Sequence, residues 1–408
     1  MVFYNLENKV KVFRTVFPLI LVIVLAGCDN IDSLNPASPT SIYSIGEGNV
    51  VGNLSEAVQD LSVQNGIPDR INGVEFMSLR GWLANIYPWE YFPGSSSVHP
   101  VTNLWNPNQK QTFFQIFEQN KQLNEFGSSA DVLEYQPNPT HGDHNHWLST
   151  YFTNGSRPFF LAYEHIYGTR FVPVDGGPKN MDDPYNRKAF KEDIDFIFRN
   201  VVIPFQSRYV TVNGRAVIYI WASGQMIGDF DSLLEEVKKE YPVFFIGSGE
   251  IWSISRGAEN IDRVKALDGF MEYTLGGRNN YLNAVSGYRR ASFGWRDFLR
   301  ELEAETGKRY LFISTFQAAY DDTKVGDRNN PPMYARSINE VKYHAELIKE
   351  GMRSSIYDSV GPFVVYSELP EGAAVIESQC LPETKDTPGR FVGCGKARLQ
   401  ILKDYFGR

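Results

Sequence analysis

Ala216-Val217-Ile218-Tyr219-Ile220-Trp221 is followed by Asp231-Ser232-Leu233-Leu234-Glu235-Glu236-Val237-Lys238-Lys239-Glu240 and then by Val243-Phe244-Phe245-Ile246-Gly247-Ser248. A short apolar run, a stretch at helical spacing and a second short apolar run make one strand–helix–strand unit. The same alternation extends in both directions. Strand signals fall at residues 83–89, 130–136, 159–164, 216–221, 243–248, 269–274, 310–316 and 362–368. Helical stretches lie at 109–126, 187–203, 231–240, 261–267, 295–306 and 338–354. The first gathers Phe113, Phe114, Phe117, Leu123 and Phe126 near one face, and the second Phe190, Ile194, Ile197, Phe198 and Val201. Strands separated by helices imply a parallel sheet with helical crossovers. Eight strands in about 330 residues favour an α/β fold of the closed (β/α)8 TIM-barrel type, a single catalytic domain, over an open doubly wound sheet.

Composition narrows the function. Of 408 residues, 42% are hydrophobic and 22% charged, the balance of a folded globular chain. The formal net charge is −8, with no Lys/Arg run, which argues against nucleic acid as a partner. Aromatic residues reach 14%, including 22 Tyr and 7 Trp, and suit a cleft that stacks sugar rings.

The first residues read as an export signal. Lys9, Lys11 and Arg14 precede the apolar run Val16-Phe17-Pro18-Leu19-Ile20-Leu21-Val22-Ile23-Val24-Leu25, which ends in Leu25-Ala26-Gly27-Cys28. That run is shorter than the roughly 20 residues a membrane span needs and fits a signal-peptide h-region. The Leu-Ala-Gly-Cys ending resembles the lipobox of bacterial lipoproteins, which implies lipidation of Cys28 and attachment to a membrane. The expected organisation is a signal peptide at 1–27, a lipidated tether rich in Ser, Asn, Gly and Pro at 28–55, and the barrel at 56–408. The expected location is the cell envelope, at the inner or outer membrane, and the expected state a monomer. With Cys28 used by lipid, Cys380 and Cys394 remain as a disulfide pair flanking a Pro/Gly-containing loop. Closing that loop would contribute on the order of 3 kcal/mol; two free thiols are the alternative.

In a barrel of this kind the chemistry sits at the C-terminal ends of the strands. The polar residues there include Trp89-Glu90-Tyr91, Glu134-Tyr135-Gln136, Tyr163-Glu164-His165, Trp221, Gly249-Glu250, Glu272-Tyr273 and Tyr320-Asp321-Asp322. The last strand runs Phe363-Val364-Val365-Tyr366-Ser367-Glu368-Leu369-Pro370-Glu371-Gly372 and brings two carboxylates to the mouth. Glycoside hydrolysis needs one carboxyl to protonate the leaving oxygen and another as base or nucleophile. Crowding two acids raises the pKa of one of them. Glu-x-x-Glu by itself is common in solvated loops.

The ordered set of motifs resembles glycoside hydrolase family 99 and the related family 71, (β/α)8 barrels that include endo-α-mannosidases and endo-α-mannanases. Glu368 and Glu371-Gly372 fall on the Asn-Glu-Trp-x-Glu-Gly segment ending the family's last strand. Tyr87-Pro88-Trp89 resembles its first-strand Tyr-Pro-Trp-Tyr, and Asn213-Gly214-Arg215-Ala216-Val217-Ile218-Tyr219 its approach to the fourth strand. Asp268-Gly269 with Tyr273 resembles the sixth strand, and Tyr320-Asp321-Asp322-Thr323 with Arg328-Asn329-Asn330 the loop after the seventh. The resemblance implies a retaining, endo-acting hydrolase of an α-linked polysaccharide such as a mannan, with no cofactor. It casts Glu371 as general acid/base and Glu368 as the base acting on the neighbouring sugar 2-hydroxyl. Tyr87, Trp89, Glu134, Tyr163, Glu164, Trp221, Tyr273, Tyr320, Arg328 and Asn329 are then the expected substrate-binding residues. Ser367 and Leu369 depart from the family's Asn and Trp.

His141, His144 and His146, with Asp143, form a dense cluster, but their spacing matches no zinc signature and the resemblance calls for no metal. Gly247-Ser248-Gly249 is too short for a phosphate cradle, and no Gly-x-Ser-x-Gly elbow follows a strand. Two alternatives remain: a surface glycan-binding lipoprotein without catalysis, and a polysaccharide-assembly protein of the WbsX-like group, which the leader argues against.

Overall fold

The computed structural model describes residues 66–86, 121, 123–135, 151–152, 155–165, 170–173, 177–248, 261–273, 275, 280–317, 319–320, 333–335, 337–353, 364–369 and 395–407. All of them belong to the compact unit Ser55–Arg408. Cys28, Tyr87, Trp89, His141, His144, His146, Arg328, Asn329, Glu371, Cys380 and Cys394 lie outside the described residues, as do the leader and tether.

Eight parallel strands organise the chain: β1 (Trp82–Ile86), β2 (Ser128–Tyr135), β3 (Phe159–Tyr163), β4 (Arg215–Ile220), β5 (Val243–Gly247), β6 (Gly269–Met271), β7 (Leu311–Phe316) and β8 (Val364–Leu369). Each pairs in parallel with the next, from Ala84↔Asp131 through Ala162↔Tyr219 and Phe270↔Phe312 to Thr315↔Val365. β8 pairs in turn with β1 through Val365↔Leu83 and Tyr366↔Ala84. The described helices are α1 (Pro184–Ile197), α2 (Phe230–Glu240), α3 (Ile261–Ala266), α4 (Tyr281–Thr306), α5 (Ile338–Arg353) and α6 (Gly395–Phe406). The architecture is an α/β barrel. Crossover segments between β1 and β2 and between β2 and β3 lie largely outside the described residues.

Every strand signal in the sequence meets an observed strand, with ends shifted by at most three residues. Helix boundaries moved more. The stretch expected at 187–203 begins at Pro184, where Asp183 caps the helix by accepting from the Tyr185 N–H and proline occupies the first turn. It then widens into a π-helical turn at Phe198–Val202. The helix expected at 295–306 starts fourteen residues earlier, at Tyr281, capped by Asn280, whose side chain accepts from the Asn283 N–H at 3.0 Å. Gly287, Ser292 and Gly294 weaken the local helical preference there. Buried Tyr281, Ala284, Val285 and Tyr288, spaced one helical turn apart, override it. Gly307, with φ +69°, closes the helix in the left-handed region.

Two features went unread in the sequence. Val210–Val212 is a short strand antiparallel to β4. Asn213 (φ 53°) and Gly214 (φ 73°) turn between them, the positive pair a tight hairpin demands. Val74–Glu75 pairs with Val210–Val212 in parallel, and Glu75 accepts from the Asn213 N–H at 2.7 Å.

At the N-terminal end of the barrel, Asp268 is 1% exposed and immediately precedes β6. It faces Lys308 at 3.1 Å, Lys238 at 3.2 Å and Arg215 at 3.4 Å, and accepts from the Phe245 N–H at 2.9 Å. One carboxylate thus joins β4, β5, α2, β6 and the approach to β7. Taking it away strands buried or half-buried cations, and breaking such a group costs about 3–5 kcal/mol. Asp268→Ala should lower unfolding stability by about that amount in a urea titration; a loss below about 1 kcal/mol would show the clamp to be incidental.

Candidate functional site

The site is built from strand register. Glu134 on β2 lies opposite Ala162 on β3, and Ala162 opposite Tyr219 on β4. Because side chains alternate along a strand, these three share the inner face. Ala162 is small, so a glutamate and a tyrosine two strands apart approach each other across it. Tyr219 is fully buried, and its hydroxyl finds no hydrogen-bond acceptor among the described residues. Burial drives its phenol pKa well above 10, a nearby Ser248 hydroxyl opposes the rise, and the charges of Glu272, Glu134 and Glu164 reinforce it. The phenol is therefore neutral at any physiological pH, a donor within electrostatic reach of three buried carboxylates.

Trp221 and Tyr273 stand half-buried just past β4 and β6, ring centroids 5.4 Å apart and edge-to-face at 73°. The backbone beneath them is held by hydroxyls. Ser248 Oγ accepts from the Ala222 N–H at 2.7 Å, and Ser223 Oγ accepts from the Ser248 N–H and donates to its carbonyl, both at 3.0 Å. Ala222 adopts φ 49°, ψ 41°, a left-handed conformation that a non-glycine residue rarely takes. Gly247 lets this contact form, since a Cβ there would lie 2.7 Å from Ser223 Oγ. The Gly247-Ser248 pair thus braces the strand end that carries Trp221.

His165 is buried beside this turn, its Nε2 3.3 Å from the Ala222 carbonyl. Burial holds its pKa down at about 4, against the opposing pull of the Ala222 carbonyl.

The structure gathers Glu134, Glu164, Trp221 and Tyr273 among the expected binding residues, and adds Tyr219 and Glu272. It corrects Tyr163. That side chain is fully buried and points outward, donating from its hydroxyl to Asp193 Oδ2 of α1 at 2.8 Å. Arg170 completes the arrangement with Asp193 and, at 2.7 Å, Glu192. Tyr163 therefore joins sheet to helix rather than lining the mouth. Tyr135 is likewise outward, stacked on Phe196 at 6.5 Å. Glu368 lies on β8, one residue before its end, beside β1 through Leu369↔Ile86. Tyr320 belongs to a short antiparallel pairing with Met333 beyond β7. Among the described residues no group of His, Cys, Asp or Glu is arranged to hold a metal ion, and no helix is long and apolar enough to cross a membrane.

An α/β barrel with buried acids and half-buried aromatic rings at the C-terminal strand ends is the class that fold and site define. No family model matches the sequence, and no curated protein does. Solved structures do. A "glycoside hydrolase-like protein" superposes with a TM-score of 0.55 at 15% identity, over 86% of this chain and 99% of its own. The family 99 endo-α-mannosidase from Bacteroides thetaiotaomicron, in complex with Bis-Tris-propane, gives 0.52 at 12% identity, over 83% of this chain and 98% of its own. A second structure of that enzyme gives 0.51 at 11%, over 83% and 97%. The chain has a family 99-like fold.

His165 gives the site a pH signature. Its folded pKa of about 4 lies below the unfolded value of 6.5, so below pH 6.5 the unfolded chain takes up a proton that the folded chain refuses. The stability it confers is complete above pH 6.5 and is lost on acidification toward pH 4, by at most about 1.4 kcal/mol per pH unit. Urea midpoints at pH 7 and pH 5 should fall more steeply for the wild type than for His165→Gln; equal slopes would exclude the buried neutral imidazole.

Proposed function

We propose that the chain is a retaining, endo-acting glycoside hydrolase built on a complete (β/α)8 barrel and acting on a neutral α-linked polysaccharide of the mannan type. The observation that carries this reading is the mouth itself. Three buried carboxylates act on a neutral phenol, and the Trp221–Tyr273 ring pair stands just past the same strands, in a fold shared with an endo-α-mannosidase. Carboxylates and a phenol complement sugar hydroxyls, and half-buried rings complement the apolar faces of pyranose rings. A uronic or sulfated glycan would meet three like charges at that mouth, so the arrangement favours an uncharged polymer.

In this proposal Glu371 and Glu368 carry the reaction. Glu368 takes the proton of the 2-hydroxyl as that oxygen bonds to the anomeric carbon. The glycosidic bond breaks, and Glu371 gives its proton to the departing oxygen. Water then adds at the anomeric carbon as the bond from that carbon to O2 breaks, Glu371 accepts the water's proton, and Glu368 returns a proton to O2. Two displacements on one carbon retain configuration. Glu134, Glu164, Glu272 and Tyr219 orient the chain of sugars, and Trp221 and Tyr273 stack on it. The lipid on Cys28, the envelope location and the Cys380–Cys394 bridge complete the proposal: an exported enzyme tethered where it meets its polymer.

The full chain, assayed on a panel of α-glycans, should release reducing oligosaccharides. Glu371→Gln should cut release by about 10²–10⁴-fold while glycan binding by calorimetry persists. Binding without product in the wild type would instead establish the non-catalytic reading, and neither product nor binding would sink both. Separately, Trp221→Ala should weaken glycan affinity by about tenfold, the worth of roughly 1–2 kcal/mol for a lost stacking partner; unchanged affinity would remove Trp221 from the site.

A further inference from the structure

Behind β7, between α4 and α5, lies a small pocket lined by Tyr288, Arg289, Ser292, Arg296, Ser314 and His344, with aliphatic side chains closing it. Arg296 is its unusual member. It is only 7% exposed, yet among the described residues no carboxylate reaches it. Its Nη2 donates to Ser314 Oγ at 3.1 Å, its guanidinium lies over Phe312 at 4.9 Å and Phe293 at 5.6 Å, and its Nη1 is buried with no acceptor among the described residues. Arg157, likewise buried, has its acid: Asp131 lies at 2.9 Å. Arg289 adds a second cation to the same pocket, 4.8 Å from the Phe293 ring and with its Nε also lacking an acceptor; its one acid, Glu350, sits at the exposed rim at 3.3 Å. The arginine is admitted by design of the helix opposite, since a Cβ at Gly351 would lie 2.3 Å from Arg296 Nη1.

A buried cation without a counter-charge is strongly unfavourable unless something supplies the charge. A water molecule satisfies the N–H but leaves the charge. The gap is of single-water size, which suits a monatomic anion and not a tetrahedral oxyanion. We propose that this pocket is a halide site, with chloride held by Arg296 Nη1 and by Arg289 between α4 and α5. The site abuts the mouth through a short chain of bonds: the hydroxyl oxygen of Tyr288, in the pocket wall, accepts from the Thr315 N–H of β7 at 2.7 Å, and Thr315 Oγ1 donates to the Glu272 carbonyl. An occupant that fixes Arg296 against Ser314 therefore also steadies the strand end beside Glu272.

The experiment is thermal unfolding of the full chain at constant ionic strength, with chloride exchanged stepwise for gluconate, together with a bromide soak of its crystals read by anomalous scattering. The expected result is a saturable rise in Tm of several degrees with chloride or bromide, an anomalous peak about 3.3 Å from Arg296 Nη1, and loss of the rise in Arg296→Met. If Arg296→Met does not fold, Gly351→Ala, which displaces the guanidinium, should remove the halide response in its place. A Tm that follows ionic strength alone, or a bromide map empty at the pocket, would overturn the proposal. So would a halide response retained in whichever variant folds.

Discussion

Asp268 and the three cations around it hold the closed end of the barrel, and the open end is free to be polar because of them. A parallel barrel has no hairpin turns to keep neighbouring strands in register. Its strands must be fixed by the crossovers and by contacts at the strand ends. Asp268 does this at one point for β4, β5, α2, β6 and the approach to β7. The following Gly269 is part of the same device, since a Cβ there would press on Leu311 at 2.9 Å. The charge comes from the aspartate and the close approach of β6 to β7 from the glycine. The Asp-Gly pair that the family resemblance picks out thus has a structural explanation remote from the mouth.

With the register fixed, the mouth follows from alternation. Glu134, Ala162 and Tyr219 occupy one inward row. Residues one step away on the same strands face the helices: Tyr135 packs on Phe196 and Tyr163 bonds Asp193. Asp193 is itself buried, and its carboxyl is pushed up to about 6 by that burial against the pull of Arg170. Polar groups therefore occur on both sides of the sheet, with different work on each side. Inward, they present donors and acceptors to whatever enters. Outward, they join strand to helix.

The strands were legible because each is a short, almost wholly apolar run buried on both faces, a pattern that survives without knowledge of neighbours. The helix from Tyr281 was only half legible, because Gly287 and Gly294 speak against it locally and its support comes from packing. The Val210–Val212 strand is signposted by Asn213-Gly214, a turn pair that also belongs to the stretch resembling the family's approach to the fourth strand. Tyr163 was misplaced for a sharper reason. A strand end offers two faces one residue apart, and the partner that decides between them, Asp193, lies thirty residues on. Parity would have separated them: Tyr219 and Trp221 share a face, as do Ala162 and Glu164, which sets Tyr163 on the other.

That parity also explains how such a barrel can keep its fold at 11–15% identity to structures it superposes on. Conserving the inward row preserves what the mouth can bind, and conserving the outward row preserves how helices seat. Each can drift while the other is held, because successive residues on one strand answer to different partners. The bracing of Trp221 marks where the two requirements meet. Its strand end takes a left-handed step at Ala222, and the step is held by Ser223 and Ser248 and admitted by Gly247. A change at any of these would leave the barrel core intact and move an aromatic ring at the mouth. The position of the Trp221 ring is therefore set by three small residues beneath it as much as by its own packing.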